Sequence, residues 1–210
     1  MTGFEVDASL PWAVTWTARE PMERSAHALA SEGRVWLVDP MADDAALNAA
    51  EALGEVAGVL QLLDRHPRDC KALARRYGVP HLRLPQHLPD SPFEVRKVVW
   101  LPGWREVGLW WGEHEAFVVP EAVGTASYFA VGAGALGMHP MLRVKPPGVL
   151  RELSPRAVLP GHGPALHENA APALREALAR SRRDIPKATL AGVKTFRPAE
   201  AVKPFRGRRA

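Results

Sequence analysis

Cysteine is almost missing from this chain. Of 210 residues only Cys70 carries a thiol, so no internal disulfide framework can staple the fold. That scarcity suits a reducing compartment, and the cytoplasm is the expectation. Also missing is any apolar run near the roughly 20 residues that span a bilayer, so no membrane partner is expected. The first ten residues carry Glu5 and Asp7 and lack a basic head followed by an apolar stretch, which argues against a secretory leader. No repeat and no obvious interdomain linker divides the chain. With 47% hydrophobic and 24% charged residues, it reads as one domain able to bury a full core.

Charge is present but unevenly placed. The formal balance is +4, from 27 Lys and Arg against 23 Asp and Glu. From Arg180 onward the basic residues are opposed only by Asp184 and Glu200, and without that end the body would be acidic. The expected organisation is a single domain over 1–185 followed by a basic, Pro-containing tail over 186–210. Such a tail pairs with phosphates or carboxylates when a nucleic acid or an acidic partner is present, and otherwise simply keeps a protein solvated. The solvated reading is preferred, because Phe196 and Phe205 stand alone and no aromatic residues interleave the charges.

Apolar patterning predicts strands over 12–17, 35–39, 59–63, 81–84, 95–101, 107–111, 116–119 and 157–159. Helices are predicted over 44–53, 68–77 and 168–183. Asp43 and Asp44 open the first of these, Gly78 stops the second, and Leu174 and Leu178 share the buried side of the third. Turns fall at Pro102-Gly103 and Gly112-Glu113, and the Gly-, Ala- and Pro-rich stretch 124–147 is expected to be a long irregular connection. Of Trp110 and Trp111 at least one is expected in the core, together with Trp100. Strands dominate each half and helices interrupt them, an order that permits a sheet-on-sheet core with helices outside.

Five landmarks follow one another along this pattern. They are Val38-Asp39-Pro40 after a strand, the strand-to-helix junction from Leu62 to Cys70, Leu101-Pro102-Gly103-Trp104, the stretch from Val118 to Gly124, and Pro160-Gly161-His162-Gly163 after an apolar strand. In this order they resemble the metallo-β-lactamase superfamily. The family has an Ile-Asp-Thr or Ile-Asp-Pro strand end, a Thr-His-x-His-x-Asp-His junction, a Pro-Gly-His-Thr turn, a Gly-Asp bridging position and a final Gly-His. The resemblance implies an α+β fold, a four-layer αββα sandwich of two mixed sheets flanked by helices. It also implies a site at the sheet ends where the family holds one or two zinc or iron ions.

The chain departs from the family where the metals bind. At the junction it reads Asp64-Arg65-His66-Pro67-Arg68-Asp69-Cys70. In one register Arg65 and Pro67 replace the two histidines, Asp69 keeps the aspartate, and Cys70 replaces the last histidine. Shifted by one, His66 matches the second histidine and Arg68 takes the aspartate's place. Trp104 stands where the turn would present a ligand, and an indole has no lone pair to offer a cation. Glu121 lies near the bridging aspartate, and His162 matches the final histidine.

No metal is therefore expected. If zinc or iron binds, Asp69, Glu121 and His162 are the candidate donors, with Cys70 as a possible fourth. Arg65 and Arg68 are permanently cationic, and either is expected to fill the vacated space by pairing with Asp69 or Glu121 through two hydrogen bonds. Cys70 at a helix start has only His66 as a nearby base and is read as a buried, inert thiol. His139 and Arg143 lie where the fold carries substrate contacts, and they either hold an anionic ligand or brace a loop. No role is assigned to His27, His81, His87, His114 or His167. The expected function is a non-enzymatic relative that binds a small, anionic molecule or a partner protein in the old cleft. The alternative is a hydrolase of esters, thioesters or phosphoesters working with one metal or none.

Overall fold

The computed structural model describes residues 3–132 and 134–195. The chain begins with four antiparallel strands: β1 (Phe4–Leu10), β2 (Ala13–Ala18), β3 (Ser25–Ser31) and β4 (Arg34–Val38). Two strand–helix–strand units of the parallel kind follow. Helix α1 (Asp44–Glu51) leads to β5 (Glu55–Gln61), and α2 (Cys70–Tyr77) leads to β6 (His81–Arg83), each new strand parallel to the last. Together they make a six-stranded sheet in sequential order.

A second sheet of four is built from β7 (Phe93–Leu101), β8 (Trp104–Trp111) and β9 (Ala116–Val119), and it is closed by β12 (Ala157–Pro160) lying parallel to β9. Between β9 and β12 the described residues of the irregular connection hold a two-stranded pair, β10 (Val123–Gly124) with β11 (Gly137–Met138), and short 3₁₀ turns. Helices α3 (Ala170–Arg180) and α4 (Ile185–Thr195) end the described chain. Residues 186–195 of the expected tail are thus helical, and 196–210 lie outside the described residues.

Strand parity explains the layering. Val35 and Leu37 of β4 join the cluster under α1 and α2 with Leu47, Ala50, Leu73 and Ala74, whereas Trp36 and Val38 face the other sheet. In β9, Ala116 and Val118 face inward, and Phe117 and Val119 pack outward with Leu174 and Leu178 of α3. The result is the four-layer αββα sandwich, its middle core formed where both sheets present alternate apolar residues.

Local signals set the helix ends. Asp43 caps α1 by accepting a bond from the Ala46 N–H at 3.0 Å. Gly78 takes the left-handed conformation that ends α2, with φ 67°. Trp111 enters the middle core at 1% exposure. Trp100 does not: it is 46% exposed. The expected core position fails because β6 is only three residues long and stops before it can cover that part of β7.

Candidate functional site

Four strands of the two sheets end on the same edge of the sandwich, and each delivers one landmark there. The end of β4 supplies Asp39, the turn after β5 supplies Arg65, His66 and Arg68, the end of β9 supplies Glu121, and the end of β12 supplies His162. Gly161 permits the last approach, since a Cβ there would lie 2.3 Å from the Pro120 carbonyl oxygen. One ligating atom from each of His66, Glu121 and His162 falls within 4.8 Å of the others. His66 thus stands in the group where Asp69 was expected. This agrees with the register that aligns His66 with the second histidine of the family junction and Arg68 with its aspartate.

Hydrogen bonds fix both imidazoles. Buried Asp39, held at φ 42°, accepts the Leu62 N–H at 3.0 Å through Oδ1 and faces His66 Nδ1 at 3.3 Å through Oδ2. A carboxylate only accepts, so the proton of neutral His66 lies on Nδ1. His162 Nδ1 is 2.9 Å from the Met22 carbonyl oxygen, another acceptor, and 2.7 Å from the Tyr128 hydroxyl, which also donates to Met22 at 3.1 Å.

His162 Nε2 is buried with no hydrogen-bond partner and lies 3.9 Å from Glu121 Oε1. Burial lowers the His162 pKa to about 3, and His66 is also lowered, by burial first and then by the Arg68 charge. Two neutral imidazoles therefore face one carboxylate.

The two arginines of the junction occupy different levels of the site. Arg65 reaches over the mouth, and its Nε (3.0 Å) and Nη2 both donate to Glu121 Oε2 while its guanidinium lies 4.3 Å from the Trp104 ring centre. Both bonds fall on one oxygen, so the pair is a clasp and not the two-oxygen fork. Arg68, at φ 34°, turns below. Its Nη1 donates to the carbonyls of Ser25 (2.5 Å) and Asp39 (2.8 Å), and Nη2 donates to Gly161 at 3.3 Å. Those three carbonyls belong to the start of β3, the end of β4 and the end of β12, so Arg68 ties the two sheets together. It pairs with neither Asp69 nor Glu121.

The remaining expected residues are dispersed. Asp69 accepts the Ala42 N–H at 2.8 Å, on the far side of the junction. Asp64 accepts the Arg105 N–H at 3.0 Å. Cys70 is buried under α2, and burial pushes its thiol up to about 12, so it is no nucleophile. His139 rests edge-on against Trp104 at 4.7 Å and accepts the Met141 N–H, and burial lowers its pKa to about 4. Arg143 is 2% exposed and donates to the Phe129 carbonyl at 2.6 Å, bracing the connection.

Sequence reasoning missed Glu106. This fully buried carboxylate accepts the N–H groups of Glu121 and Ala122 at 2.8 Å each and the Trp104 indole N–H at 2.9 Å, and burial raises it to about 7. The signal was its parity with Trp104 on β8. Tyr128 was also missed, since nothing in its neighbourhood along the chain announces His162.

The donor set fits one metal ion. Three protein ligands with an open position suffice for a single zinc or iron, and the lone pair of His162 Nε2, orphaned among buried atoms, is the kind of group an ion would satisfy. The set does not fit two. Trp104 is turned to Glu106, Arg68 replaces a carboxylate with a cation, and Arg65 already neutralises Glu121.

No protein-family model matches the chain, and no curated protein sequence matches it. Solved structures do. A crystal structure of DIM-1 metallo-β-lactamase exposed to ceftazidime superimposes with a TM-score of 0.54 at 12% identity, covering 87% of this chain and 99% of that one. A second crystal structure of DIM-1 metallo-β-lactamase gives 0.54 at 13% identity, covering 86% and 97%. The chain has the metallo-β-lactamase fold. Within it, this is a divergent form with an incomplete set of metal donors.

Proposed function

We propose that this protein binds a small anionic molecule at the mouth of the former metal cleft and does not turn it over. The observation that carries the reading is the pair of arginines. Arg68 supplies the positive charge at the floor, and Arg65 offers a part-exposed guanidinium at the entrance that grips one oxygen of Glu121. A carboxylate or phosphate with two free oxygens satisfies a guanidinium better than a single shared oxygen does, so such a ligand competes with Glu121 for Arg65. His139 and Trp104 wall the same entrance.

Three measurements test it. Metal content of the purified protein by mass spectrometry should be well below one equivalent. Hydrolysis of p-nitrophenyl acetate and bis(p-nitrophenyl) phosphate should stay at the buffer rate with or without added zinc or manganese. Calorimetry with succinate and with inorganic phosphate should show saturable binding that Arg65→Ala removes. One tight equivalent of metal together with metal-dependent turnover would overturn the reading.

The orphaned Nε2 of His162 favours a second reading, a hydrolase of esters, thioesters or phosphoesters with one metal held by His66, Glu121 and His162. Such an ion, when bound, lowers the pKa of a coordinated water toward neutrality. In that case Asp39 orients His66, the Met22 carbonyl orients His162, and Arg65 has to leave Glu121 before the carboxylate can serve as a ligand.

A further inference from the structure

Beyond the β7–β8 turn from Trp104, the inner face of the four-stranded sheet runs past the end of its partner. β6 is the edge of one sheet and β7 the edge of the other, and β6 ends at Arg83. On β8, Arg105, Val107 and Leu109 share one face, and their cross-strand partners on β7 are Trp100, Lys97 and Val95. Val107 and Leu109 belong to the core between the sheets. Lys97, Trp100 and Arg105 therefore point to the inner side of the sandwich, yet all three are exposed. A cavity of about 230 Å³ opens there, walled by Leu84, Pro85, Val95, Val107, Lys97 and Trp100.

The chemistry of this opening is specific. Lys97 Nζ lies 4.9 Å and the Arg105 guanidinium carbon 5.3 Å from the Trp100 ring centre. Among the described residues, neither cation has a carboxylate within ion-pair distance, unlike Arg96 beside them, which pairs with Glu94. Apolar walls, a half-wet indole and two unneutralised cations at one rim complement a ligand that is flat, apolar and negatively charged at one end.

We infer that this cavity binds a planar aromatic anion, its ring seated against Trp100 between Pro85 and Val107, and its phosphate or carboxylate on Lys97 and Arg105. The site is separate from the mouth at Arg65. Its walls come from the uncovered inner face and the loop after β6.

The test is calorimetry on the full-length Arg65→Ala variant, which lacks the guanidinium at the mouth, with phenyl phosphate and with benzoate, which distinguish a phosphate from a carboxylate source. Inorganic phosphate supplies the charge without the ring, and benzyl alcohol the ring without the charge. Expected is saturable binding of at least one aromatic anion, with both controls weaker by about tenfold or more, the size of one lost charge-assisted contact. Trp100→Ala should abolish binding, and Lys97→Glu should weaken it at least as much as loss of the charge from the ligand does. Both variants alter exposed side chains, and an unchanged thermal melt confirms that they fold. Absence of saturable binding overturns the inference, as does inorganic phosphate binding as tightly as phenyl phosphate or binding indifferent to Trp100→Ala. Phenyl phosphate binding that is present in the unsubstituted protein but absent from Arg65→Ala also overturns it, and assigns the ligand to the mouth instead.

Discussion

Arg65 and Arg68 stand three residues apart in one turn and serve the site in opposite ways. Arg65 lies at the entrance with its side chain 39% exposed, and it donates to one carboxylate oxygen of Glu121 and, at 3.4 Å, to the Gly103 carbonyl. Arg68 lies at the floor and satisfies three backbone carbonyls from both sheets. An exposed ion pair is screened and weak, whereas carbonyls left without a donor in a buried place are expensive. The entrance is thus exchangeable and the floor is fixed. The comparison teaches that two cations from one turn can serve one cleft separately, one as a structural tie and one as a replaceable partner.

The largest way to break this contrast is at the floor. Arg68→Ala should cost about 3 kcal/mol of unfolding free energy, since it takes the guanidinium donor from the Ser25 and Asp39 carbonyls, while Gly161 keeps the Ser25 N–H. Urea denaturation measures it. Arg68→Lys should recover only part, because one ammonium cannot reach what a planar fork spans.

Between floor and entrance sits Glu106, and its effect is smaller and depends on pH. Its carboxyl titrates near 7 in the fold against an ordinary 4.5, because burial disfavours the anion. Between those values the folded state holds a proton that the unfolded state has released. Stability therefore declines as pH rises from about 4.5 to about 7, and it is lost progressively through that window. Glu106→Gln should flatten this slope in thermal melts recorded across the window. A slope unchanged in Glu106→Gln would remove Glu106 as its source.

At the entrance, Arg65→Ala should change stability by less than about 1 kcal/mol while eliminating succinate and phosphate binding. A stability loss as large as that of Arg68→Ala would erase the distinction between the two arginines. The smallest expected signal comes from Cys70, buried behind the floor with a thiol pushed up to about 12. Iodoacetamide at pH 7.5 should leave it unmodified in the native protein and label it once urea unfolds the chain, as read by intact mass.

Much of the frame was legible. The continuous apolar runs of β4, β9 and β12 mark strands buried on both faces, and Asp43 and Gly78 mark helix ends by chemistry that works locally. Strands β1 and β3 were not legible. β3 reads Ser-Ala-His-Ala-Leu-Ala-Ser, where small residues hide the alternation, and buried His27 is satisfied by Thr15 and the Pro160 carbonyl, far away in sequence.

At the site, Glu121, His162 and the pairing of Arg65 with a carboxylate were within reach of the sequence. The exchange of Asp69 for His66 was not, because the junction admits two registers one residue apart. Trp100 was placed in the core because its strand is apolar, and only the length of β6 decides that nothing covers it.

The sequence alone determined the order of the landmarks, the scarcity of metal donors among them and the presence of two fixed cations. These are matters of which atoms a side chain carries. Tertiary structure decided which of those atoms meet: that Arg68 turns to carbonyls of both sheets, that Arg65 clasps Glu121, and that His66 joins His162. Such choices depend on contacts between residues tens of positions apart, whose free energies exist only once the sheets are packed.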